Sequence, residues 1–138
     1  MLTRVLFALV LAVASLPAWA EDAKVLALGL ADHEVTQEEL DKGTALAAPR
    51  FNTAAIAYAS IADLKKGDVI EITLVNDDRP LLHNTETLAE DQAKYLLQAG
   101  KRGVPAGGWP EGSYHAALTV RRDGKTLIEQ SSPPIPFD

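Results

Sequence analysis

The 138-residue chain has no cysteine. That excludes disulfide staples, a thiolate nucleophile, cysteine-based metal centres and lipid attachment at a leader cysteine. Methionine is almost as scarce, because Met1 is the only one, so a thioether ligand for copper is missing from the rest of the chain. Positive charge is in deficit: 13 Lys and Arg stand against 19 Asp and Glu, for a formal net charge of −6. An acidic balance argues against nucleic acid or an anionic membrane as the main partner. Beyond the leader no apolar run is long enough to span a bilayer, so no transmembrane segment is expected in the mature chain. There is no Gly-x-Ser-x-Gly elbow, no Gly-x-Gly-x-x-Gly turn and no P-loop.

The chain begins with a leader. Arg4 gives a short basic start, Val5 to Leu16 is an almost unbroken apolar run, Pro17 breaks it, and Ala18-Trp19-Ala20 has an A-x-A cleavage pattern. These are the parts of a secretory signal peptide over residues 1–20. The expected destination is the periplasm or the medium. Residues 21–138 then form one domain, since that length is too short for two comfortable ones. Without disulfides, an exported domain of this size depends on its core.

Organisation centres on Gly107-Gly108-Trp109-Pro110-Glu111-Gly112-Ser113-Tyr114, a Gly/Pro-rich corner that leads into an alternating strand. Tyr114, Ala116, Leu118 and Val120 fall on one face of it, and His115, Ala117, Thr119 and Arg121 on the other. Asp123-Gly124 suits a tight hairpin turn, and Lys125 to Gln130 reads as the last strand. Two registers remain open there: a two-residue loop pairing Val120 with Leu127, or a bulged loop pairing Leu118 with Ile128. Upstream, Lys24 to Leu30, Phe51 to Ala62 and Val69 to Val75 read as strands, the last with Ile70, Ile72 and Leu74 inward. Leu81 to Thr85 reads as a short edge strand after Pro80. Within residues 87–99 helix and strand signals compete, and a strand over Lys94 to Ala99 is expected. Residues 31–50 read as a long connection with Glu38, Glu39 and Asp41 in solvent, although Thr36 to Glu39 also fits a helix-capping pattern. Ser131 to Phe137 is an extended, proline-bearing tail.

The residues that could carry chemistry are few. His33, His83 and His115 with acidic neighbours could hold Cu(II) or Zn(II), but no two histidines lie at a local ligand spacing. Serines exist without a nucleophile context, and the adjacent carboxylate pairs fall in turns. Trp109 and Tyr114 can be read as a sugar-stacking platform or as corner packing, and the flanking glycines and proline favour packing. Lys65, Lys66, Arg121, Arg122 and Lys125 are interleaved with Asp63, Asp68 and Asp123, which makes a mixed patch. The expectation is a non-enzymatic binding or accessory module without a cofactor, contacting another protein or a cell-envelope component. Periplasmic copper or zinc binding is the alternative.

The spacing of short strands resembles an all-β, immunoglobulin-like sandwich of about seven antiparallel strands. Gly112-Ser113-Tyr114-His115-Ala116 is similar to a tyrosine corner. Ala116 stands where antibody domains carry their second cysteine, and Ile72 or Leu74 where they carry the buried tryptophan. A closer resemblance is to small exported bacterial immunoglobulin-like accessory domains. It rests on Ile56-Ala57-Tyr58-Ala59-Ser60, on Gly108-Trp109-Pro110-Glu111-Gly112-Ser113-Tyr114 and on Asp123-Gly124-Lys125. The resemblance implies a structural corner at Trp109, Gly112 and Tyr114. It also implies neighbouring third and sixth strands, whose outward residues Glu71, Thr73, Val75, His115, Ala117 and Thr119 form a low-charge face. Of these, Thr73, Val75, His115, Ala117 and Thr119 are the candidate partner-binding residues, and no metal ligand is assigned.

Overall fold

Alternating apolar and polar residues give strands with one face for a core and one for solvent, and here they build two antiparallel sheets. The computed structural model describes residues 23–101 and 103–137; the expected signal peptide, residues 1–20, lies outside the described residues. The first sheet has strand order β1-β2-β5, from β1 (Lys24–Ala31), β2 (Ala55–Leu64) and β5 (Gln92–Lys101). The second has order β4-β3-β6-β7, from β3 (Val69–Asn76), β4 (Arg79–Thr87), β6 (Ser113–Arg122) and β7 (Lys125–Ser131). A short β8 (Ile135–Pro136) pairs with the start of β6. The fold is an all-β sandwich. Its fourth strand pairs with β3, whereas in constant-type antibody domains the fourth strand joins the other sheet.

Ala55, Ala57, Ala59 and Ile61 from one sheet meet Ile70, Ile72, Leu74, Leu118 and Val120 from the other, all nearly inaccessible. The small alanines let the layers approach closely. The strand expected over Lys94 to Ala99 is present, over the longer span Gln92–Lys101, with Leu97 and Ala99 in the core.

Residues 31–50 depart in part from expectation. Glu38 and Asp41 are in solvent as expected, but the segment includes one helical turn, α1 (Gln37–Asp41), with both bonds of the capping box formed between Thr36 and Glu39. The turn is held on the outer side of the three-stranded sheet. The Gln98 side chain bonds both the amide and the carbonyl of Val35, at 2.7 and 2.9 Å. Ser60 donates to Gln37, and Lys94 reaches Asp41 at 2.9 Å. Ser60, Lys94 and Gln98 alternate with the core residues of β2 and β5, so the segment lies like a strap across that sheet's outer face.

Three edge strands carry an extra residue. Leu26 bulges from β1, Leu81 from β4 and Leu127 from β7. The β7 bulge decides the hairpin register. Asp123-Gly124 is a two-residue turn with Arg122 opposite Lys125, yet Val120 pairs with Ile128 and Leu118 with Gln130. Each sequence alternative therefore held one correct part, and both of their pairings are corrected. A residue that bulges outside the turn does not show in alternation alone.

Candidate functional site

The corner is built from the Tyr114 hydroxyl outward. Gly112 has φ +132 and a Cβ there would sit 2.6 Å from Asp77 Oδ2 and 2.7 Å from Asn76 Oδ1, so only glycine fits. The turn it permits brings the Pro110 carbonyl onto the Tyr114 hydroxyl, which donates to it. Asn76 Nδ2 donates to that hydroxyl at 2.8 Å and to the Glu111 carbonyl at 3.3 Å. Asn76 Oδ1 finds no donor among the described residues. Trp109 Nε1 donates to the Thr53 carbonyl at 2.8 Å and its ring meets Tyr114 edge-on. Phe137, carried back by β8, stacks on Tyr114 with centroids 3.7 Å apart. Burial pushes the Tyr114 phenol up from its ordinary value.

These rings are consumed by packing. Trp109 is 7% exposed and Tyr114 fully buried, so neither offers a face to a sugar. An open groove of about 740 Å³ runs beside them, lined by Phe51, Asp77, Gly107, Trp109, Glu111, Gly112, Ser113, Pro136 and Phe137. Asn76, Asp77, Thr53 and Phe137 escaped sequence reasoning because each reaches the corner from a distant segment. The one available signal was the strand-terminal Asn-Asp pair.

The residues expected at a partner face lie side by side on β3 and β6. In the β3–β6 ladder Thr73 lies opposite Ala117, Val75 opposite His115, and Glu71 opposite Thr119. The flanking strands extend these rows: His83 and Ser131 flank Thr73–Ala117, while Thr85 and Glu129 flank Glu71–Thr119. The three rows carry no Phe, Tyr or Trp. At their centre the side chains are short and uncharged.

The histidines are kept apart. His33 lies by the strap on the other sheet's side, between Asp32 and Glu39. His83 and His115 lie on strands separated by β3 and in different rows. Among the described residues no three His, Asp or Glu side chains converge to hold a metal ion.

At the far end of the sandwich the mixed patch contains one defined pair. Arg122 forms a bidentate bond to Asp68 at 2.8 and 2.7 Å, and the Lys65 amide adds a third bond at 2.8 Å. Asp68 is fully buried. Burial raises its carboxyl, but the Arg122 and Lys65 contacts outweigh that and hold it below the ordinary value. This pair ties the β2–β3 turn to the end of β6. Compared with known proteins, the sequence matches no family model and no curated protein.

Proposed function

We propose that the protein is an exported, non-enzymatic binding or accessory module that contacts another protein or an envelope component through the outer face of the β4-β3-β6-β7 sheet. The observation that carries this reading is the unequal treatment of the two outer faces. The strap crosses one. The other bears only half-buried, mostly short side chains at Thr73, Val75, His115, Ala117 and Thr119. Protruding charges, a common guard on an exposed sheet, are limited to Glu71 and Glu129 in one of the three rows and Arg121 in the row beyond it. The bulges on β1, β4 and β7 disfavour strand addition at three of the four sheet edges, β5 being the edge without one. Export rests on the leader pattern over residues 1–20, and the accessory role on the resemblance carried by the corner and hairpin motifs.

The test is a pair of substitutions. Ala117→Arg and Thr73→Arg should each shift stability by less than about 0.5 kcal/mol, since both side chains point outward. Either should abolish co-purification of the partner from envelope extracts. Unchanged capture by two folded variants would move the contact elsewhere.

A further inference from the structure

One charged cluster lies outside both the face and the corner. His33 Nδ1 lies 2.8 Å from Asp32 Oδ1, and His33 Nε2 lies 2.9 Å from Glu39 Oε2. Asp32 follows β1 directly, while Glu39 belongs to α1. The ring therefore joins the end of a sheet strand to the strap. The other oxygen of Glu39, Oε1, accepts from the Thr36 amide and closes the capping box. One carboxylate thus links the histidine to the turn that holds the strap in shape.

We propose that His33 is a pH-sensitive fastener, closing the strap over the three-stranded sheet when its ring is protonated and loosening it as the ring loses its proton. Both ring nitrogens face carboxylate oxygens, and a carboxylate can only accept. Two bonds therefore require two N–H groups, which only the imidazolium has. On deprotonation one nitrogen keeps its hydrogen and the other turns a lone pair toward a carboxylate. One bond is lost and a repulsion replaces it. The charged groups acting on the ring are Asp32 and Glu39, with Glu34 its neighbour in the chain. The nearby cations are taken up elsewhere, Lys42 by Glu38 and Lys94 by Asp41.

The sign follows from the direction of the shift. The Asp32 bond, then the Glu39 bond, raise the imidazole above its ordinary 6.5, against a smaller opposing effect of burial. A group raised in the closed state contributes its stabilisation fully below the ordinary value and loses it as pH climbs through the raised one. The strap is therefore tightest in mild acid and loosens into mild alkali. The remaining fastenings, the Gln98 clamp on Val35 and the Lys94–Asp41 pair, do not involve the His33 ring, so loosening is local and partial. What it uncovers is the outer side of β2, where Ile56 and Ser60 are buried.

The experiment is amide hydrogen exchange on the whole protein at pH 5.5 and 8.5, corrected for intrinsic rates. The protection factors of Val35, Glu39 and Thr44 should fall several-fold at the higher pH, while those in the β3–β6 ladder stay constant. His33→Gln should give strap protection that is low and equal at both pH values. An NMR titration of the imidazole completes the test, with His33 titrating above the ordinary value. The proposal is overturned if strap protection is pH-independent in the parent protein, if His33→Gln keeps the pH dependence, if the ladder amides lose protection in parallel, or if His33 titrates at or below 6.5.

Discussion

Gly112 is the position at which the corner admits no side chain. Its left-handed φ and the two oxygens within 2.7 Å of any Cβ make a methyl group both strained and crowded. Gly112→Ala should cost about 3 kcal/mol in urea titrations, and a loss under about 1 kcal/mol would contradict the geometry. Tyr114 acts through its hydroxyl as well as its ring, since that oxygen donates to Pro110 and accepts from Asn76. Tyr114→Phe keeps the Phe137 stack but leaves Asn76 Nδ2 and the Pro110 carbonyl each short of a bond. A loss of about 2 kcal/mol is expected by denaturant titration. Trp109, Gly112 and Tyr114 were legible in the sequence because the Gly/Pro punctuation and the start of alternation are local signals. Asn76 and Phe137 were not, because nothing near either residue records that the fold brings it to Tyr114.

At the scale of elements, the capping box at Thr36 and Glu39 was visible as a pattern, but its use was not. A single helical turn is unstable alone, and what keeps α1 in place is a set of contacts from β2 and β5, Gln98 to Val35, Ser60 to Gln37 and Lys94 to Asp41, which no local pattern encodes. The same holds for the Asp68–Arg122 pair, whose members are scattered among other charges in the sequence. Asp68→Asn should cost about 3 kcal/mol at neutral pH, because it breaks a buried bidentate pair. Its pH dependence has a definite sign. A carboxyl held below its ordinary value stabilises the fold above the unfolded value of about 3.9, and that contribution fades as pH falls through the folded value. The stability margin of the parent over Asp68→Asn should therefore be constant from pH 7 to 5 and shrink toward pH 3 in urea titrations. A margin that grows on acidification would contradict the assignment.

For the whole molecule, the absence of cysteine leaves stability to the two-layer core, and residues 31–50 cross one outer face and not the other. Alternation in β3 and β6 was enough to place Thr73, Val75, His115, Ala117 and Thr119 on one face, because residue alternation in a sheet is geometric. The covering of the opposite face by residues 31–50 was invisible, since nothing in that polar stretch indicates which surface it crosses. The central claim is that contact is made by the outer face of the β4-β3-β6-β7 sheet. The most direct measurement is site-specific photo-crosslinking in exporting cells, with a photoreactive residue at position 117 on the face or position 42 beyond α1. The account predicts a discrete adduct from position 117 that disappears when Thr73→Arg is added, and none from position 42. Adducts from position 42 alone, or adducts from position 117 that persist beside Thr73→Arg, would contradict it.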